Sequence, residues 1–232
     1  MPDTDASVLD RPIGFRRSPA PIAYATAVTT MEAHVAAMHQ GEADELLWLL
    51  EHPDVYTAGT SADAAELLDA GDVPVVRTGR GGRFTYHGPG QRIGYVMLDL
   101  KRRRPDVRCF VHDLEAWLIR ALAKLDVVGE RRAGRVGIWV RTPTGEAKIA
   151  AIGVRVRRWI TYHGVALNVA PNLERFAGIV PCGLAGFGVT SLAALGRPTD
   201  DATVDAALRT AFVETFGRLN DVAEVDFGAP RR

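Results

Sequence analysis

The sequence predicts an α+β fold. Three windows repeat apolar residues at helical spacing, and between them lie apolar or alternating runs of strand length. The two kinds of window do not alternate in the strict rhythm of a parallel α/β sheet.

Residues 1–11 are polar and read as a mobile tail ahead of a single catalytic-size domain over 12–232. Over residues 21–41 the spacing of Ala27, Met31, Val35 and Met38 predicts an amphipathic helix that stops at Gly41. The run Glu45-Leu-Leu-Trp-Leu-Leu50, closed by His52-Pro53, predicts a buried strand. Ser61 is placed to cap a short helix through Leu68. Residues 73–76 read as a strand running into the cluster Gly79-Arg80-Gly81-Gly82, with a second cluster, Gly88-Pro89-Gly90, shortly after. Residues 93–100 read as another buried strand. Asp106 is the expected cap of a helix over 107–125, with Phe110, Leu114, Trp117, Leu118 and Ala121 on one face. Residues 138–140 and 148–156 read as strands, the second with Ile152, Val154 and Val156 on one face and Arg155 and Arg157 on the other. A further strand over 159–169 makes a hairpin that turns at Arg157-Arg158. Residues 171–196 are rich in loop signals, and 203–219 form a closing helix.

Composition narrows the function classes. At 232 residues the chain is long enough to bury a sizeable core as one domain. Hydrophobic residues make up 47% and charged residues 24%, as in ordinary globular proteins. Lys plus Arg number 28 and so do Asp plus Glu, so no global field points to nucleic acid or to a membrane surface. The start MPDTDASVLDRP lacks a basic segment followed by an apolar run, and no stretch has the length of a membrane span. A cytoplasmic location is expected. Cys109 and Cys182 lie far apart without a CxxC pair, which argues against a disulfide framework or a cysteine-built zinc site.

Three stretches carry candidate chemistry. Cys182 sits between Pro181 and Gly183, in a turn that suits either an accessible thiol or a small packed hydrophobe. Cys109 lies at the start of a helical pattern and reads as packing. A nucleophilic thiol needs a base or cation, since an ordinary thiol has a pKa near 8.5. Lys148 leads into the apolar run Ile149-Ala-Ala-Ile-Gly153, which suits a partly desolvated base or a solvent-facing strand-edge lysine. The stretch Arg80-Gly-Gly-Arg-Phe-Thr-Tyr-His87 is a loop whose backbone N–H groups can hold an oxygen, with His87 able to titrate near neutral pH. The basic run 101–104 is a solvated turn or a docking patch for an acidic protein.

These stretches together resemble a known family. RGGRFTYHGPGQ, KIAAIGVRVRRWITYHGVALNV and PCGLAGFGVTSL are similar, in order, to the blocks of the lipoyl(octanoyl) transferases, and LLEHPDVYTAG is similar to an earlier block. The matches span roughly residues 12–222. The family often has proline where this chain has Val96, and smaller or more polar residues at Arg83-Phe84.

The resemblance implies a mixed β-sheet flanked by α-helices, the catalytic-domain fold of biotin and lipoate protein ligases. It implies that Cys182 carries the acyl thioester and that Lys148 lowers its pKa or acts as its general base. It assigns the substrate pocket to Arg80, Gly81, Gly82, Arg83, Phe84, Thr85, Tyr86 and His87, to Ala151, Ile152 and Gly153, and to Gly164, Val165 and Ala166. No metal and no cofactor is implied. The implied donor is octanoyl acyl carrier protein. The implied acceptors are lipoyl domains of 2-oxoacid dehydrogenase E2 subunits and the glycine cleavage H protein, with the enzyme a monomer away from nucleic acid and membranes. Three alternatives stand beside this reading: an ATP-dependent lipoate or biotin ligase, a non-catalytic acyl-binding module, and a cysteine hydrolase.

Overall fold

Five consecutive apolar residues, Leu46–Leu50, form strand β2, and all five are buried because the sheet is covered on both faces. The computed structural model describes residues 12–180 and 187–222. The expected tail at 1–11 and the candidate nucleophile Cys182 lie outside these described residues.

Around β2 the described residues build an eight-stranded mixed sheet. On one side of it, β1 (Ile13–Arg17) pairs in parallel, and β11 (Leu219–Asp221) extends that edge. On the other side come β6 (Gln91–Met97), β9 (Ile160–Asn168) and β8 (Gly145–Arg157), each antiparallel to its neighbour. β7 (Ile138–Thr142) and the short β10 (Gly188–Val189) both pair with β8, the first antiparallel and the second parallel.

Helices cover both faces, as the resemblance implied. α1 (Tyr24–Gln40) lays Ala27, Met31 and Val35 against Trp48, Leu50, Ile93 and Met97. α2 (Val107–Ala123) and α3 (Asp201–Phe216) cover the opposite face, where Trp117 meets Phe212 edge-on at 5.1 Å. Trp117 is fully buried, and its indole N–H donates to the Leu208 carbonyl at 2.8 Å, which satisfies the one polar atom that this burial removes from water. Asp106 caps α2 by accepting from the amides of Arg108 and Cys109.

A second sheet, in the order β4 (Val75–Arg77), β3 (Val55–Ala58), β5 (Phe84–His87), has its own core of Tyr56, Tyr86 and Phe176. It is tied to the large sheet where the Gly81 amide donates to the Val154 carbonyl of β8 at 2.8 Å.

Several elements depart from expectation. The segment over 84–87, read as loop, is strand β5; its glycine neighbours hid a four-residue alternation. Ser61 caps nothing: Asp63 accepts from the Ala65 amide, and only a single 3₁₀ turn, Ala64–Glu66, follows. The β8–β9 hairpin turns at Arg158-Trp159, both with positive φ, while Arg157 still pairs with Ile160. The closing helix starts at Asp201 because Asp200 accepts from the Thr203 amide, and it stops before Gly217. β1, β3 and β11 are too short to leave a periodic signature.

Candidate active site

Small side chains on the central strands leave room above the large sheet. Ala151 of β8 pairs with Ala166 of β9, and Gly153 with Gly164, so two rows of small residues run across the strands. The second sheet and α1 roof the space, giving a cavity of about 300 Å³. Gly153 permits the roof to come close: a Cβ there would stand 3.1 Å from Arg80 Cδ and 3.3 Å from the Gly81 carbonyl oxygen.

Lys148 lines this cavity where β8 begins, and it is only 6% exposed. Its Nζ donates to the Val136 carbonyl at 3.1 Å and lies 4.9 Å from the centre of the Trp139 ring. The nearby Gly137, at φ 116°, holds a turn that a side chain would block, since a Cβ would come within 2.6 Å of the Ala150 carbonyl oxygen. The strand-edge alternative for Lys148 therefore fails; the amine is enclosed by the 129–137 loop and an indole face.

The chain that follows the undescribed segment 181–186 returns to this same lysine. Phe187 packs edge-on against Trp139 at 5.4 Å, and the Arg135 guanidinium lies over both rings. Val189 of β10 pairs with Lys148, and the Thr190 amide donates to the Lys148 carbonyl at 3.0 Å.

Arg80 is buried at the roof. It donates to the carbonyl and hydroxyl of Thr57 and to the carbonyls of Gly81 and Arg83, which fixes the shape of the 80–83 turn. Arg83 reaches outward to pair with Glu66. Gly82, Arg83, Phe84, Thr85 and His87 line the cavity, as do Ala151, Ile152, Gly153, Gly164, Val165 and Ala166. Gly81 and Tyr86 do not. Tyr86 points to the far side of β5, packing on Tyr56 and Phe176 and donating to Asp54 at 2.6 Å, because alternate residues of a strand face opposite ways. Val96, the departure from the family pattern, is fully buried in the core under α2 and away from the cavity.

His87 does not titrate near neutral pH. Burial, with His52 and Arg80 nearby, lowers its pKa to about 3, so it is neutral. Its Nδ1 meets Gln91 Oε1 at 2.9 Å, and Gln91 in turn donates to Asn168 Oδ1. Sequence reasoning missed several residues of the cavity wall, among them Tyr24, Ile93, Tyr95, Arg135 and His163, and missed His52, which supports Tyr95. His52 is wholly buried; its Nε2 faces the Tyr95 hydroxyl and its Nδ1 the Ile22 carbonyl, each at 2.6 Å. Desolvation lowers its pKa to about 4. His163 adopts φ 60° within β9 and packs edge-on to Tyr95; burial, with Arg80 and Arg155 nearby, lowers its pKa to about 3. The signal for His52 and His163 was present in the quoted blocks, but a lone histidine within an apolar run looks like packing. Among the described residues no cluster of His, Cys, Asp and Glu could hold a metal ion, and no helix is long and apolar enough to cross a membrane.

Comparison with known proteins agrees with this architecture. Residues 23–213 match the family model described as the lipoyl protein ligase A/B catalytic domain. An octanoyltransferase of Parvibaculum lavamentivorans is 59% identical over 218 residues, covering 92% of this chain and 96% of that protein. One from Paramagnetospirillum magneticum is 59% identical over 211 residues, covering 90% and 99%. A bipartite lipoate protein ligase from Thermoplasma acidophilum shares the fold, with a TM-score of 0.69 at 16% identity over 94% of this chain and 88% of that one. The chain therefore belongs to the lipoyl protein ligase A/B catalytic-domain family, among its octanoyltransferases, and is an acyltransferase.

Proposed function

We propose that the protein takes an octanoyl group from acyl carrier protein onto Cys182 and passes it to the ε-amine of a lysine on a lipoyl domain, of an E2 subunit or of the H protein. The observation that carries this reading is the enclosure of the Lys148 amine beside an apolar cavity. The backbone leading away from the Cys182 segment is hydrogen-bonded to that same residue.

The protons balance through one amine. The Cys182 thiolate, paired with the Lys148 ammonium, attacks the thioester carbonyl. A new C–S bond forms, the carrier thiolate leaves, and it takes a proton from Lys148. In the second half the acceptor amine attacks the enzyme thioester. The C–N bond forms, the Cys182 sulfur departs as thiolate, and Lys148 accepts the proton that the amine sheds. Thioester exchange is close to thermoneutral and aminolysis runs downhill to an amide, so no nucleotide is consumed. The apolar cavity supplies the affinity, roughly 0.8 kcal/mol for each methylene buried.

Intact-mass measurement after mixing with octanoyl acyl carrier protein tests this. The expected result is a gain of one octanoyl group, lost when a lipoyl domain is added and absent in Cys182→Ala. Normal labelling of Cys182→Ala, or AMP release as a requirement for turnover, overturns it.

A further inference from the structure

The outer edge of β8 changes partner within a few residues. β7 pairs with it as far as Ala150, where that ladder ends. Farther on, the Gly81 amide of the roof donates to the Val154 carbonyl. Ile152 lies in the gap between them. Alternate residues of a strand turn their backbone polar groups to opposite sides. The Ala150 carbonyl lies beside Gly137, at the entry to β7, and the Val154 carbonyl faces Gly81, so the N–H and C=O of Ile152 face the same outer edge. Neither has a hydrogen-bond partner among the described residues. The Ile152 side chain packs against the core under α2, so what Ile152 brings to the cavity is its backbone.

This gap is also the mouth of the cavity. Gly82 and Arg83 of the roof turn are exposed on one side of it, Gly134 and Val136 on the other, and all four line the cavity together with Ile152. Lys148 reaches the same place from within. A Cβ on Gly137 would stand 2.6 Å from the Ala150 carbonyl oxygen and 3.4 Å from Lys148 Cε. The stem of the amine therefore lies at the level of Ala150, one two-residue step, about 6.6 Å, short of Ile152.

We propose that this bare edge binds the thiol arm of the acyl donor, with the backbone N–H and C=O of Ile152 pairing with the two amides of a pantetheine group. The proposal rests on the acyl-transfer reading above and names the part of the donor that the mouth recognises.

Acyl carrier protein holds its acyl group through such an arm. Outward from the sulfur, two methylenes lead to a first amide, N–H before C=O, and two more lead to a second. The first amide carbonyl carbon is four bonds from sulfur, an extended reach of about 5 Å, which with the length of a hydrogen bond spans the step from Ala150 to Ile152. The Ile152 N–H then donates to the first amide carbonyl, and the second amide N–H donates to the Ile152 carbonyl. That is the exchange made by a hydrogen-bonded antiparallel pair. The arm has two carbons between these groups where a residue has one, and its free torsions take up the difference. Pairing an extended ligand with an exposed strand edge is a general mode of recognition, and it satisfies both polar groups of Ile152 without a charged side chain.

Matched small thioesters test this. S-octanoyl N-(β-acetamidopropionyl)cysteamine carries both amides, and its β-acetoxy counterpart replaces only the second N–H by oxygen, leaving the reacting thioester the same. Acyl-enzyme formation, read by intact mass, should show a kcat/KM roughly three- to tenfold higher for the amide donor, the contribution of one hydrogen bond. Ile152→Pro removes the other partner, the Ile152 N–H. It should shrink the advantage of the two-amide donor over amide-free S-pentyl octanethioate by a similar factor, while transfer from the preformed acyl-enzyme to a lipoyl domain falls less. If Ile152→Pro does not fold, an ester at that position, introduced as the α-hydroxy acid analogue of isoleucine, removes the same N–H and keeps the side chain. Equal rates for the acetamido and acetoxy donors, or a two-amide advantage that survives loss of the Ile152 N–H, overturns the edge site and leaves the transfer reading standing. Labelling by octanoyl acyl carrier protein but by none of the small thioesters assigns recognition to the carrier's surface and overturns the edge site as well. No adduct from any donor, the carrier protein included, overturns the transfer reading and the edge site with it.

Discussion

Lys148 combines two properties that rarely coincide: its amine is almost removed from water, and among the described residues it contacts a carbonyl and an indole face but pairs with no carboxylate. Such a group can pair with an anion that comes and goes, because no carboxylate of the described residues competes for it. Lys148→Met keeps the length and apolar stem but removes the charge. It should lower the rate of both half-reactions by roughly 10²–10⁴, the range for one positioned acid–base group. It should also move the pH dependence of Cys182 alkylation, read by peptide mass, to higher pH. An alkylation profile that stays where it was would remove Lys148 from the thiol's surroundings. Tyr95 is a second case in which one atom decides. Tyr95→Phe keeps the ring but leaves His52 Nε2 buried without its donor, which should cost about 1–3 kcal/mol of stability in urea unfolding. Equal stability would mean that the His52–Tyr95 bond holds nothing in place.

Among the elements, the β8–β9 hairpin does the most for the site, since it supplies Lys148, the small floor residues and His163. Its fit to the roof depends on Gly153. A methyl there presses on an Arg80 side chain held by several hydrogen bonds and on the Gly81 carbonyl, neither of which yields easily. Gly153→Ala should therefore destabilise the protein by about 1–3 kcal/mol and raise the KM for the acyl donor, and an unchanged KM would show that the 80–83 turn does not shape the pocket. These elements also show what the sequence made legible. α2 was readable almost to its ends because a capping aspartate precedes an unbroken apolar stripe. The hairpin was readable from alternation, missing its turn by one residue because positive φ at Arg158 and Trp159 has no glycine to announce it. β5 was not readable, since four residues between glycine clusters look like the loop they border. Within the site, the Arg80–His87 and β8–β9 residues were found through resemblance, and most of them line one cavity. The aromatic part of the cavity wall was not found. Tyr24, His52 and Tyr95 come from three separate elements, and only tertiary packing brings their rings together.

For the molecule as a whole, the buried histidines make the fold sensitive to mild acid. His52 has its pKa lowered to about 4, and His87 and His163 to about 3, chiefly because burial penalises the imidazolium. In the unfolded chain each has a pKa near 6.5. The unfolded state therefore binds protons first as pH falls, and the native state binds them only near pH 3–4. Stability is complete above about pH 6.5 and declines as pH drops toward 4. At pH 5 each histidine contributes a loss of about 2 kcal/mol by this linkage, about 6 kcal/mol for the three, against a typical domain stability of about 5–15 kcal/mol. Carboxylates held low by partners, such as Glu146 beside Arg132 and Arg135, add their own loss only as pH enters the usual carboxylate range, while Asp113 and Asp205, raised by burial, protonate earlier in the native state and offset part of it, so the net fall from 6.5 to 4.5 is led by the histidines. Urea midpoints measured at pH 7.5, 6 and 5 should fall steeply between the last two. His87→Gln, which keeps an amide near the Gln91 side chain, should flatten that slope by about a third. A midpoint constant from pH 7.5 to 5 would mean that these rings are hydrated enough to charge in the native state, and that the inner end of the cavity is open to water rather than sealed.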